Sequence, residues 1–156
     1  MINVSIVCIG KLKEGYLREA SAEYAKRLGR FCRFSVRELP EKQTEGKSDA
    51  DIAAVKRAEG ERLVGAVKGH VIALDGRGKQ ISSEELADLL KKKAQTSSEI
   101  DFVIGGSYGL SDEVRARADE VISFGRITFP HQLIRIVAQE QIYRAFTINA
   151  GITYHK

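Results

Sequence analysis

Residues 101–114 read DFVIGGSYGLSDEV, and this stretch decides the fold class. The apolar run at 100–104 has the length and composition of a buried strand, and it ends at a pair of glycines. A helix start signal follows at Ser111, whose hydroxyl can cap a first helical turn. A buried strand that leads through a glycine loop into a helix is the repeating unit of α/β proteins.

The same alternation continues along the rest of the chain. Further strands are predicted at residues 4–9, 31–39, 71–74 and 121–124, with a turn at 75–78. Helices are predicted over 17–28 and 48–67, after Ser82 and Ser111, and from Pro130 in a long last segment. We therefore predict a single α/β domain, residues 1–156, with a mostly parallel sheet and helices on both faces.

Composition narrows the functional classes. The 156 residues are 43% hydrophobic and 29% charged, and no apolar run is long enough to cross a bilayer, so we expect a soluble protein without a membrane partner. The first residues, MINVSIVCIGKLKEG, lack the marks of a signal peptide and predict a strand and a cytoplasmic location. Cys8 and Cys32 lie in apolar runs without neighbouring metal ligands, so we expect buried thiols and no metal site.

Positive charge is concentrated near the C-terminal end. The formal net charge is +4, and residues 126–156 carry Arg126, Arg135, Arg144 and Lys156 against Glu140 alone. Such a segment suits a phosphate-bearing partner such as RNA, and it equally suits a solvated basic helix face. Charge alone leaves both interpretations open.

Glycines mark three predicted strand ends, at residues 74–78, 105–109 and 124–125. In open α/β sheets ligands bind beyond the carboxyl ends of the strands, and glycine lets the backbone approach a ligand closely or adopt a positive φ. Each loop taken singly is also explained as a tight strand-to-helix turn. Three of them on one edge favour a small-molecule pocket.

Gly105-Gly106-Ser107-Tyr108-Gly109 matches the G-x-S-x-G nucleophile elbow of serine hydrolases. An elbow serine sits directly at the strand-to-helix turn, however, whereas Ser107 lies several residues before the predicted helix. The chain is also short for an α/β-hydrolase. The segment GKLKEG at 10–15 fits neither a Rossmann fingerprint nor a P-loop, so NAD and ATP are disfavoured as well.

Four segments together resemble one known family. They are IGGSYGL at 104–110, TFPHQ at 128–132, EQIYRA at 140–145 and YHK at 154–156. By their order, spacing and chain length the sequence is similar to the ribosomal large-subunit RNA methyltransferase H family of the SPOUT superfamily. The resemblance implies a homodimer with a C-terminal deep trefoil knot. It also implies methyl transfer from S-adenosylmethionine to N3 of a pseudouridine in helix 69 of 23S rRNA, within the large subunit or the assembled 70S ribosome.

The resemblance also assigns the cofactor contacts. They fall on Leu74, Gly105, Phe124, Gly125, Arg126, Ile127, Thr128 and Phe129. On this interpretation the glycines let the backbone close around S-adenosylmethionine, and Ser107 is a loop residue rather than a nucleophile.

Methylation of an imide nitrogen requires that its proton be removed, so a base or an anion-stabilising cation is needed. We expect His155 to be the base, Arg144 to stabilise the anion or hold phosphates, and Tyr154 to stack on or hydrogen-bond the nucleobase. These three catalytic candidates, together with Lys156, are also the expected RNA contacts. His131, beside the expected cofactor loop, is interpreted as a positioning residue.

The last predicted helix carries apolar residues on more than one face, including Leu133, Ile136 and Tyr143, which favours burial against a second subunit. The alternative function is a non-catalytic RNA-binding protein, supported by the basic C-terminal segment. Such a protein would bind RNA without binding S-adenosylmethionine.

Overall fold

The computed structural model describes all residues, 1–156, in ten elements that alternate between strand and helix. The strands are β1 (Asn3–Ile9), β2 (Arg33–Leu39), β3 (His70–Gln80), β4 (Glu99–Ile104) and β5 (Glu120–Ser123). The helices are α1 (Gly15–Leu28), α2 (Asp49–Ala66), α3 (Ser83–Ala94), α4 (Asp112–Arg117) and α5 (His131–Asn149). The predicted alternation is confirmed, and β5 ends one residue earlier than expected, so that Phe124 belongs to the following loop.

The strands form one sheet in the order β2-β1-β4-β3-β5, and every neighbouring pair is parallel. The predicted parallel α/β sheet is therefore confirmed. Because all strands run the same way, their carboxyl ends lie along a single edge, where open α/β sheets bind ligands.

Helices cover both faces of the sheet, as predicted. Val4 and Ile6 of β1 belong to a core shared with α1, α3 and α5, whereas Val7 and Ile9 belong to a core beneath α2 and α4. This split follows from the alternation of side chains along a strand. None of the five helices combines the length and the apolar character that a membrane span needs.

Both cysteines are buried, as expected, and neither is in a disulfide. Burial raises the pKa of the Cys8 thiol to about 11 and that of Cys32 to about 12. Both thiols are therefore protonated at neutral pH and unreactive.

The helix starts follow the local sequence signals. Ser48 with Asp51 and Ser82 with Glu85 form capping boxes at the start of α2 and α3, and the Ser111 hydroxyl accepts a hydrogen bond at the start of α4. Because both partners of a cap lie within four residues, the sequence predicts such ends well.

The turn predicted at 75–78 is wrong in one respect, because β3 continues through it to Gln80. Leu74 and Lys79 both align with Ile122 of β5, so the residues between them leave the ladder as a bulge. Pairing with β5 resumes beyond the bulge and overrides the local turn preference. Gly78 is needed there, since a Cβ on it would lie 2.7 Å from backbone atoms of Val121.

Asp101 of β4 is fully buried. Its carboxylate is the shared acceptor of a polar network near the amino-terminal ends of the strands, opposite the edge where ligands bind. Its carboxylate accepts hydrogen bonds from the N–H groups of Lys68 (2.7 Å) and Gly69 (3.0 Å), from Arg37 (2.8 Å) and from the Ser5 hydroxyl. Burial opposes ionisation, but these donors outweigh it and lower the pKa below its usual 3.8.

Replacing Asp101 by asparagine should lower the free energy of unfolding at pH 7 by about 2–3 kcal/mol, because the buried donors and the Arg37 guanidinium lose a charged acceptor. Urea denaturation measures this difference. A lowered pKa contributes stability above the unfolded pKa and loses it as the pH falls through the folded pKa. The difference should therefore be constant near neutrality and shrink once the pH falls below 3.8.

Asp88→Asn on α3 is the matched control. Its exposed carboxylate pairs with Lys92 at 2.7 Å, and such pairs contribute less than about 0.5 kcal/mol. Equal stability of the two variants would contradict the role assigned to Asp101.

Candidate functional site

A cavity of about 790 Å³, which we call the strand-end cavity, opens at the carboxyl ends of β3, β4 and β5. Its walls are formed by residues 74–77, 104–110 and 122–131, with Lys56 of α2 and Ile134 of α5. Cavities of this size hold small molecules. The three glycine-marked strand ends thus meet in one place, as the sequence predicts.

The glycine loop, residues 105–109, closes on itself in a tight turn. The N–H of Gly109 donates to the carbonyl of Gly106 over 3.0 Å, and Gly109 has a φ of +83°. A Cβ on Gly105 would lie 2.7 Å from the carbonyl carbon of Gly109, and one on Gly106 would lie 2.8 Å from Oε1 of Glu59. The packing of the protein against itself therefore already requires both glycines, before any ligand is considered.

Ser107 is exposed at the tip of this turn, and its hydroxyl makes no hydrogen bond to a histidine. A serine nucleophile needs a base within hydrogen-bond reach, so the resemblance to a nucleophile elbow has no structural counterpart.

The chain reverses direction directly after β5. The buried Ser123 hydroxyl accepts from the N–H of Gly125 at 3.1 Å and donates to its carbonyl oxygen at 2.9 Å. Gly125 adopts a φ of +123°, which side-chain-bearing residues rarely adopt. The turn directs residues 126–129 along the cavity wall.

All eight residues to which the resemblance assigns cofactor contacts line the strand-end cavity. They are Leu74, Gly105, Phe124, Gly125, Arg126, Ile127, Thr128 and Phe129. The only carboxylate in the lining is that of Asp75, which Arg115 holds at 3.0 Å. Burial opposes its ionisation, but the N–H of Arg77 and the Arg115 guanidinium lower its pKa, so the carboxylate is charged and paired.

Lys56 also lines the cavity, and sequence reasoning missed it. It is brought there by the close approach of α2 to the end of the glycine loop. A Cβ on Gly60 would lie 2.3 Å from Oγ of Ser111, so the glycine permits this approach. No local signal in a helix marks such a contact between elements distant in sequence.

Arg144, Tyr154 and His155 lie together beside α5, where Arg144 and Tyr154 bind Glu140 and His155 contacts Arg144. The Arg144 guanidinium donates to both carboxylate oxygens of Glu140, at 3.2 and 2.8 Å, and the Tyr154 hydroxyl donates to the same group at 2.9 Å. The guanidinium also lies 4.8 Å from the centroid of the Tyr154 ring. We call Glu140, Arg144, Tyr154 and His155 the C-terminal cluster.

The contacts of this cluster indicate which of its atoms donate and which accept hydrogen bonds. Burial and the nearby Glu140 carboxylate raise the pKa of Tyr154 to about 12, so the phenol keeps its proton. Nδ1 of His155 lies 3.1 Å from the Arg144 guanidinium, and Nε2 lies 2.5 Å from Glu84. Because a guanidinium can only donate, Nδ1 accepts and the proton resides on Nε2.

The C-terminal cluster and the strand-end cavity are separate within one chain. Neither Arg144, Tyr154, His155 nor Lys156 lines the cavity. Of α5, only His131 and Ile134 reach it, and Arg144 lies ten residues beyond Ile134, about 15 Å further along the helix. The predicted site residues thus form two groups.

The basic residues at 126–156 do not form one free patch. Arg135 is buried and paired with Glu38 at 2.6 Å, and Arg144 is paired with Glu140. Only Arg126 and Lys156 of the four lack a carboxylate partner. The count of charges in the sequence therefore overstates the free positive charge of this segment.

His131 lines the strand-end cavity, with Nε2 4.0 Å from the Glu41 carboxylate. Burial lowers the pKa of His131 despite the opposing effect of Glu41. The imidazole is therefore neutral near pH 7, as suits a positioning residue.

Known proteins were compared with this chain. The family described as "Predicted SPOUT methyltransferase" matches residues 2–155. The ribosomal RNA large subunit methyltransferase H of Pediococcus pentosaceus is 52% identical over 159 residues, which cover 99% of this chain and 100% of the relative. The protein of the same name from Ligilactobacillus salivarius is 54% identical with the same coverage.

Two solved structures share the fold at low sequence identity. The tRNA (m1G37) methyltransferase from Aquifex aeolicus superposes with a TM-score of 0.51 at 14% identity, covering 92% of this chain and 69% of that one. A putative methyltransferase from Legionella pneumophila, solved with bound SAM, gives 0.54 at 12% identity, covering 92% and 66%. With a family match that spans residues 2–155 and full-length relatives above 50% identity, the chain belongs to the SPOUT methyltransferase family, among the ribosomal RNA large subunit methyltransferase H proteins.

Proposed function

We propose that the protein transfers a methyl group from S-adenosylmethionine to N3 of a pseudouridine in helix 69 of 23S rRNA. We place the reaction on the large subunit or the assembled 70S ribosome, in the cytoplasm. The observation that carries the proposal is the convergence of eight assigned residues from three loops on one cavity. The names of the full-length relatives support a large-subunit rRNA substrate, and the fold neighbour with bound SAM supports the cofactor.

The strand-end cavity fits the chemistry of S-adenosylmethionine. Leu74, Phe124 and Ile127 offer apolar surface for an adenine ring, and the glycine loop offers backbone N–H and C=O groups for its polar edge. When bound, the cofactor supplies an activated methyl group on a sulfonium. The task of the cavity walls is to hold that group in line with the acceptor and to exclude water. The deep trefoil knot implied by the resemblance stays a prediction.

The C-terminal cluster supplies the groups that the acceptor nitrogen needs. Arg144 can stabilise the anion that forms when N3 loses its proton, and Tyr154, as a neutral phenol, can donate a hydrogen bond to a nucleobase carbonyl. The basic atom of His155 is Nδ1, which Arg144 covers in the free protein. Proton transfer to His155 therefore requires the guanidinium to move onto the substrate first.

The separation of the two groups supports a homodimer. The C-terminal cluster cannot act on a ligand in its own chain's cavity without crossing roughly 15 Å of helix α5. We propose that the cluster of one subunit completes the cavity of the other. Partly exposed apolar side chains on α5, such as Leu133, provide surface for such a contact.

Isothermal titration of the protein with S-adenosylmethionine should give saturable binding, and the variant Gly105→Val should lose it. A valine at this position would collide with the backbone of Gly109 and displace the cavity wall. Gly65→Val on α2 is the control, since a Cβ there meets nothing within 4 Å. Circular dichroism confirms that both variants are folded.

No heat with the folded wild-type protein would defeat the methyltransferase proposal and favour a non-catalytic RNA-binding protein. Equal affinity of Gly105→Val and Gly65→Val would place the cofactor outside the strand-end cavity.

Mixing two inactive variants should restore methylation if the cluster acts across the dimer. A Gly105→Val chain keeps its cluster, and a His155→Ala chain keeps its cavity, so a mixed dimer contains one complete site. Random reassociation should give about a quarter of the wild-type rate on 70S ribosomes, because half the dimers are mixed and each has one of two sites.

The double variant Gly105→Val/His155→Ala, mixed with wild type, controls for simple subunit exchange. Failure of the two single variants to complement, although exchange is demonstrated by mass, would show that each cluster serves its own chain. Full activity of His155→Ala alone would remove His155 from the mechanism.

A further inference from the structure

Three side chains at the mouth of the strand-end cavity have no part in the cofactor assignment. They are Lys56 of α2, Arg77 of the β3 bulge and Tyr108 of the glycine loop, and all three line the cavity. They come from three different elements, so only the fold brings them together. We call them the rim.

The two rim cations are available for a ligand. Lys56 forms no ion pair with any carboxylate. Arg77 lies 3.5 Å from Asp75, a carboxylate that it shares with Arg115, but the Arg77 side chain is 65% exposed and can also reach a ligand. The rim therefore offers one cation without a carboxylate partner, Lys56, and one exposed cation, Arg77, whereas Arg135 is buried in its ion pair.

Tyr108 is held outward by the loop that carries it. It occupies a central position of the turn that the Gly109 to Gly106 hydrogen bond closes, in a loop where Gly105 packs so tightly against Gly109 that a Cβ would not fit. The ring is 38% exposed, and its hydroxyl bonds to no protein group. An exposed ring on a hydrogen-bonded turn, lining the same cavity as exposed or unpaired cations, is an arrangement that binds unpaired nucleotides.

We propose that Lys56, Arg77 and Tyr108 bind the RNA strand at the mouth of the strand-end cavity, the cations holding phosphates and the tyrosine ring stacking on an unpaired nucleobase. The inference rests on the proposed function, and it deepens that function by naming residues that position the substrate. Two cations on separate walls can each bind a phosphate of one RNA strand. The single carboxylate of the cofactor would need only one of these cations.

The first test is fluorescence anisotropy with a fluorescein-labelled RNA hairpin whose single-stranded loop contains pseudouridine. Lys56→Gln and Arg77→Gln should each weaken binding about three- to tenfold, and each should lower the slope of log Kd against log salt by about 0.7. Arg57→Gln is the matched control: it lies next to Lys56 on α2, is exposed and does not line the cavity. It should leave both quantities unchanged.

Tyr108→Ala should weaken binding about tenfold without changing the salt slope, because stacking releases no counterions. Tyr108→Phe should retain wild-type affinity, since the ring and not the hydroxyl is required. With 70S ribosomes as substrate, the rim variants should raise the KM for methylation and leave kcat near the wild-type value. This kinetic readout applies even where the free hairpin binds weakly.

Three outcomes would overturn the proposal. Equal effects of Lys56→Gln and Arg57→Gln would indicate a general charge effect. A loss of S-adenosylmethionine affinity in the cation variants would assign the rim to the cofactor, and a change in dimer mass by light scattering would assign it to a second copy of the chain. A wild-type protein that does not bind S-adenosylmethionine would contradict the proposed function but not the role of the rim in RNA binding. The RNA titrations would still measure that role.

Discussion

The pairing of β3 with β5 is the interaction on which the site depends. Leu74 and Lys79 both align with Ile122, so the ladder can continue only if the residues between them are displaced from the ladder. The same pairing fixes where β5 ends, and therefore where residues 124–130 leave the sheet beside Leu74. Two of the three cavity walls are shaped by this one contact between strands, and the third is a turn that glycines close on itself.

The sequence predicts those parts of the fold whose causes are local. Ser48 and Ser82 cap helices through partners three residues away, and the short, mostly apolar run at 100–104, which leads into two glycines, favours a buried strand. The bulge in β3 could not be predicted, because its cause is an alignment between Leu74 and Ile122 across the sheet. The position of Lys56 at the cavity could not be predicted for the same reason, since it depends on the close approach of Gly60 to Ser111.

In the candidate site, too, the sequence identified single residues but not the contacts between residues distant in the chain. Arg144, Tyr154 and His155 were selected from the chemistry of the acceptor nitrogen, and they lie together in the structure. Neither composition nor spacing identified Glu140 as the group that Arg144 and Tyr154 share. The positive charge counted at 126–156 left RNA binding and a solvated helix face both open, and ion pairs neutralise Arg135 and Arg144. A charge count cannot distinguish a cation that holds the fold together from one that is free to bind.

The positions of the cations suggest that the interior of the cavity and its mouth bind different ligands. Its lining is mainly apolar side chain and backbone, with the Asp75 carboxylate that Arg115 pairs and the unpaired guanidinium of Arg126, so it suits a small ligand recognised by shape, hydrogen bonds and one charge. The unpaired Lys56 and the exposed Arg77 lie at the mouth, where a larger polyanion can reach both of them. Because RNA binding releases several counterions and the binding of a small ligand releases few, the affinities for the two ligands should respond differently to ionic strength. Recognition of the small ligand and of the RNA is thereby assigned to different residues of one edge of the sheet.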